Sequence, residues 1–126
     1  QVCALPEADQ RRFLGWLGPG LGRFSVLRVF ASALPGRDLP RLDTDSHGAE
    51  RAMVPLGLYE KVWPFQLLAT PLLRALLVKD LEAAEALGCL ELAEEDLAVC
   101  SFVCPSKIDL LQALRRAREA YYDDIA

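Results

Sequence analysis

The sequence lacks several features that would assign it at once. It has no apolar run long enough to cross a membrane. The longest stretch without a charge, Val62 to Leu73, holds Pro64, Gln66 and Pro71, whereas a spanning helix needs roughly 20 apolar residues. It has a single histidine, His47, so no Ser-His-Asp or Cys-His catalytic set is assembled from it. No C-x2-C pair exists, which leaves little support for a structural zinc site. There is no excess of positive charge. The net charge is −4 and the pI about 5.0, and that balance offers no electrostatic reason for nucleic-acid binding. The first residues, Gln1 to Asp9, carry neither a basic region nor a long apolar run, so they do not read as a signal peptide. Gln1 is not an initiator methionine, and the chain reads as part of a longer polypeptide.

What is present suits a soluble domain or a domain plus a further segment: 126 residues, 52% hydrophobic and 25% charged. The four cysteines are Cys3, Cys89, Cys100 and Cys104. Without a signal sequence, reduced thiols are expected rather than disulfides.

Residues Gln1 to Pro40 differ in texture from the rest of the chain. Gln1 to Leu5 and Ser25 to Phe30 are short and rich in β-branched or aromatic residues, and are expected as strands. Between them, Gly15-Trp-Leu-Gly18-Pro-Gly20-Leu-Gly22 is punctuated as a loop. Its spacing is not that of a G-x-G-x-x-G phosphate cradle. Pro35 to Glu50 reads as an irregular surface segment, and Met53 to Tyr59 as an extended stretch broken by Pro55 and Gly57.

Beyond Pro64 the pattern is helical. A short helix is expected over 64–68, then a new one with Thr70 as N-cap and Pro71 in its first turn. Asp80 is placed to cap a third helix, Leu81 to Leu87, that Gly88 ends. Glu94, Glu95 and Asp96 open a fourth, where acidic groups suit the positive end of the helix dipole, and Pro105 closes it. Ser106 and Asp109 form an S-x-x-D start for the last helix. Its apolar stripe is Ile108, Leu111, Leu114, Ala117 and Tyr121 with Leu110, and Arg115, Arg116 and Glu119 make a solvated face.

The chemistry centres on Cys100-Ser-Phe-Val-Cys104-Pro105. A bacterial ferredoxin motif is C-x2-C-x2-C-x3-C-P, and this segment matches its last two cysteines and the proline. The first two ligand positions fall on Glu94 and Leu97, and leucine cannot ligate iron. A rearranged site from Cys89, Cys100 and Cys104 is an alternative. So is plain core filling, because positions i and i+4 share a helix face and free cysteine packs as a small hydrophobe. A Cys100–Cys104 disulfide is disfavoured, since side chains about 5–6 Å apart exceed the roughly 3.5–4.5 Å that the bond needs.

Three segments carry a resemblance. Leu87 to Lys107, Arg51 to Glu60, and Arg12 to Gly20 with Phe24-Ser25 resemble, in order, the A-subunit family of sodium-translocating NADH:quinone oxidoreductases, the Nqr complexes. The similarity runs from about Phe13 to Arg118 and is to the C-terminal part of the family's polypeptide. It is weaker over Tyr121 to Ala126. It implies a mainly α (α+β overall) chain. Residues 1–50 would be the end of a β-grasp domain with an irregular connector. Residues 51–126 would be a helical domain of alpha-helical ferredoxin type with a degenerate cluster motif. The Rnf complex C subunit is similar in architecture, as is the NADH-binding subunit of respiratory complex I.

The resemblance also implies a function: a structural and docking part of a sodium-pumping NADH:ubiquinone reductase, with no catalytic, cofactor or metal residues of its own. Cys89, Cys100 and Cys104 would be vestigial. NADH, FAD, FMN, iron–sulphur clusters and ubiquinone would belong to the whole complex. The partners would be the other subunits of the membrane complex, with the chain peripheral on the cytoplasmic face of the bacterial inner membrane. Arg51, Tyr59 and Lys61 are candidates to contact a quinone head group or a partner, against the plainer reading of surface solvation. Trp16 and Trp63 are read as core or interface aromatics. An unusual iron–sulphur electron carrier and a quinone-binding module are the alternatives.

Overall fold

A computed structural model describes residues 2–8, 13–38 and 41–126, apart from the Trp16 side chain. Gln1, the Arg12 at the head of one resembling motif, and Pro40 lie outside the described residues. The chain forms two units, Gln1–Ala49 and Glu50–Ala126.

The first unit is a succession of tight turns with 3-10 turns at Gly15–Leu17 and Ala31–Ala33. No strand occurs among the described residues, which corrects the expectation of strands over 1–5 and 25–30. A strand needs a partner to take its backbone groups. Here the Arg28 N–H instead turns back to the Ser25 carbonyl at 3.1 Å, with Arg28 in the left-handed region at φ 54°. Phe30 covers Gly20, where an added Cβ would lie 2.5 Å from the ring. The Ala31 N–H donates to the Pro19 carbonyl at 2.8 Å, and the Arg23 guanidinium sits 5.7 Å from the Phe30 ring centre.

The second unit is helical: α1 Leu58–Val62, α2 Ala69–Val78, α3 Leu81–Ala86, α4 Ala98–Val103 and α5 Leu110–Ile125. α2 buries Ala69, Leu72, Leu73 and Leu76, a spacing that makes one helix face. α5 buries Leu110, Leu114 and Ala117, whereas Leu111 and Tyr121 are half-buried at the edge of the stripe. α5 packs against α2, α3 and α4 and against the turn Glu94–Leu97, whose Leu97 has no exposed surface.

The helix starts differ from expectation in instructive ways. The first helix precedes Pro64 instead of following it, because the residue before a proline is driven extended; Trp63 has φ −88° and ψ 111°. The run Met53 to Tyr59 is not extended throughout: the Leu56 N–H bonds to the Val54 carbonyl at 3.0 Å, and Gly57, at φ 71°, leads into α1, which takes Leu58 and Tyr59. Thr70 is inside α2 and caps nothing. The Glu60 carboxylate accepts from the Thr70 N–H at 3.3 Å and from its hydroxyl, so an acid from α1 serves the positive end of α2. Asp80 does cap α3, accepting from the Ala83 N–H at 3.0 Å. Gly88 follows α3 at φ 91°, and a Cβ there would come within 3.0 Å of Leu67. Of the Ser106 and Asp109 pair, Asp109 caps α5, accepting from the Gln112 N–H at 3.1 Å; Ser106 is engaged elsewhere.

Leu114 of α5 is fully buried. Leu114→Ala is expected to destabilise the helical unit by about 2–5 kcal/mol, read as a lower urea midpoint at unchanged slope.

Candidate functional site

The four positions of the ferredoxin spacing lie on one continuous piece of structure. A 3-10 turn, Glu94–Leu97, runs directly into α4, which ends at Val103 with Cys104 as its C-cap before Pro105. The turn is started by the Asp96 carboxylate, which accepts from the Ala93 N–H at 2.8 Å.

Each position has a different occupation. Glu94 receives the Arg115 guanidinium of α5, with Nε 3.1 Å from both carboxylate oxygens and Nη2 bonded to one of them. Arg115 holds the Glu94 carboxyl below the usual carboxylate range. Leu97 fills the core. Cys100 is 1% exposed, and burial, followed by the charge of Glu60 and of Cys104, pushes its thiol up to about 11. Cys104 is equally buried, and its Sγ shares a hydrogen bond with the Tyr59 hydroxyl across 3.1 Å. Burial first, and that hydrogen bond second, raise the Tyr59 hydroxyl above its ordinary value. Cys89 is buried in the turn Cys89–Glu91, with its thiol raised by burial and then by Glu85.

These residues do not fit a four-thiolate cluster. One ligand position is an ion-paired carboxylate and another an apolar core side chain. Among the described residues no three His, Cys, Asp or Glu side chains are grouped to hold a metal ion. All four cysteines are free.

The loop after Cys104 is tied to the start of the unit. The Arg51 N–H donates to the Ser106 carbonyl at 2.8 Å, and the Ser106 hydroxyl donates to the Ala52 carbonyl at 2.7 Å. The Leu110 N–H donates to the Ser101 hydroxyl at 3.1 Å. Ser106 is thus a strap between distant segments. Of the three contact candidates, Arg51 and Lys61 are exposed, while Tyr59 is 1% exposed with its hydroxyl turned to Cys104. Arg51 lines an open groove of about 540 Å3 between Glu50–Met53 and Arg74, Leu77 and Val78 of α2. Trp63 packs edge-on to Phe65, with ring centres 5.4 Å apart, and its indole N–H is buried with no partner among the described residues. His47 lies 3.4 Å from Asp45 and 3.9 Å from Asp43, with 15% of its side chain exposed.

The spacing of the chain reveals the Cys100–Cys104 pair but not what meets it. Tyr59, Arg115 and Ala52 reach the motif across 45, 21 and 54 residues. No local pattern encodes such pairings.

Cys3 is exposed and the other three thiols are buried. A disulfide reagent should therefore titrate one thiol per chain quickly and all four after unfolding. An unfolded thiol ionises near its ordinary value of 9.0, while Cys100 in the folded chain keeps its proton to about 11. Its contribution to stability is present below pH 9 and lost as pH rises towards 11. Cys100→Ala should flatten that alkaline limb in denaturant titrations.

No family model matches the chain. Individual proteins do. The A subunit of the Na(+)-translocating NADH-quinone reductase of Rhodopirellula baltica is 54% identical over 116 residues, 91% of this chain and 25% of that protein. Its counterpart from Hahella chejuensis is 50% identical over 115 residues, 91% of this chain and 26% of its own length. That from Yersinia pestis is 49% identical over 115 residues, with the same coverage. The chain thus spans about a quarter of the length of the curated relatives it matches. Over that quarter it is a homologue of the A-subunit family of Na(+)-translocating NADH-quinone reductases.

Proposed function

We propose that the chain is a structural and docking part of the A subunit in a sodium-translocating NADH:quinone reductase, corresponding to the C-terminal part of that polypeptide. The observation that carries this reading is the occupation of the ferredoxin spacing in an A-subunit homologue. An ion pair to Arg115 and a leucine core contact stand where two thiolates would be required. The α4 geometry is then useful as a scaffold. It holds Tyr59 of α1, the Ser101 contact to α5 and the Ser106 strap to Arg51 and Ala52 in fixed relation.

In this reading the oxidation of NADH and the reduction of ubiquinone take place elsewhere in the complex. The FAD, FMN and iron–sulphur groups also lie elsewhere. No helix among the described residues is long and apolar enough to cross a membrane, which accords with a peripheral place on the cytoplasmic face of the bacterial inner membrane. The other reductase subunits are the partners.

Two measurements test the reading together. Anaerobically purified protein should contain no stoichiometric iron or acid-labile sulphide. A reductase assembled with Cys100→Ala and Cys104→Ala should keep NADH:quinone turnover within about two-fold. A stoichiometric cluster, or turnover abolished in a complex that still assembles, would overturn it in favour of an electron carrier.

A second reading, contact with ubiquinone, draws on the groove beside Arg51, whose open, partly apolar form suits a ring with polar oxygens. Titration with a soluble quinone should then quench tryptophan fluorescence saturably, and Arg51→Ala or Arg74→Ala should weaken the effect. Unchanged fluorescence at millimolar quinone counts against it.

A further inference from the structure

The two units differ in a way that a scaffold role for α4 does not explain. Every buried apolar side chain among the described residues belongs to Glu50–Ala126. Among the described residues of Gln1–Ala49, Gly20 and Ser32 are the buried ones. Large apolar side chains there are open to solvent instead: Phe13 is 92% exposed, Leu17 64%, Leu21 54%, Val29 66% and Leu34 57%.

Such a segment does not hold its own shape. Ordering a backbone costs conformational entropy that burial has to offset, and chains shorter than about 40 residues seldom bury enough to do so unaided. The bonds holding residues 13–38 are mostly local turn bonds, such as Leu17 N–H to Leu14 carbonyl and Arg23 N–H to Gly20 carbonyl. Large apolar side chains left open in such number mark a contact. The charged residues among them are mainly basic, with Arg23, Arg28 and Arg37 against Asp38. Arginine beside exposed apolar surface is the usual anatomy of a protein interface.

We propose that the apolar surface of residues 13–38 is a contact face for the part of an A-subunit polypeptide that this chain does not span, and that it meets an apolar, acidic-rimmed surface there. The size of the relatives argues for that occupant. The matched stretch is 25% of the Rhodopirellula baltica protein, which leaves about three quarters of that polypeptide to cover the face. The proposal rests on the A-subunit reading but concerns contacts inside one polypeptide.

Hydrogen exchange read by mass spectrometry tests it on two proteins: this 126-residue chain, and the full-length Rhodopirellula baltica relative. Amides matching 13–38 should exchange at least ten-fold more slowly in the full-length protein, while those of α2 and α5 exchange alike in both. In the full-length protein, the equivalents of Phe13→Asp and Val29→Asp should restore fast exchange over 13–38 and leave α2 and α5 protected. Equal protection of 13–38 in both proteins would overturn the proposal, because the segment would then be covered without the rest of the polypeptide. Fast exchange in both would overturn it equally. Neither result depends on assembly into a reductase, so the docking reading stands or falls separately, on iron content and turnover.

Discussion

Inside the helical unit the Tyr59 hydroxyl and the Cys104 thiol meet at 3.1 Å, both almost wholly shielded from water. A buried polar atom needs a partner, and leaving either of these unpaired carries a desolvation penalty of roughly 1–3 kcal/mol. Each satisfies the other. The consequence reaches beyond the pair. α1 is a five-residue helix, far too short to persist alone. It is held because Tyr59 is inserted against α4 while its neighbour Glu60 serves the start of α2. A single helical turn therefore joins α4 to α2, and α2 carries much of the leucine core.

The same economy applies along the ferredoxin spacing. At position 104 the sulphur is the hydrogen-bonding partner of the Tyr59 hydroxyl. Burial raises the Cys100 thiol to about 11, so at neutral pH it is a small apolar filler. Position 97 contributes a leucine to the core. Position 94 contributes a charge that pins the turn before α4 to Arg115 on α5. That pair is partly exposed, and its value is chiefly geometric, since surface ion pairs add little stability. The four positions of the spacing thus take part in an ion pair, a core contact and a buried hydrogen bond.

The two units show opposite solutions to burial. In Glu50–Ala126 the apolar residues fall at helical spacing and find one another. In the turns before it the described apolar residues fall on a chain whose regular elements are two short 3-10 turns, and many of them face outward. Composition alone hides this contrast, because an average of 52% hydrophobic suggests a core throughout.

Much of the helical unit was legible because its signals are local. Asp80 before Leu81, Gly88 after α3, the acids before α4 and the Leu110–Leu114–Ala117 stripe act within a turn or two. What was misread involved choices between local options. Ser25 to Phe30 has strand-forming residues, but strand geometry is realised only against a partner, and the turn bond to Ser25 prevailed. Thr70 and Ser106 are good caps by type, yet Glu60 took the first role and Asp109 the second, while Ser106 bonded to Ala52. The sequence by itself determined where α3 and α5 run, which cysteines share a face, and that two ligand positions hold no thiolate, because these follow from residue type and short spacing. Only the tertiary structure decided what fills those positions. Tyr59 on Cys104, Arg115 on Glu94 and Ser106 on Ala52 are pairings across long stretches of chain, and such contacts are set by how the helices pack rather than by any neighbour along the sequence.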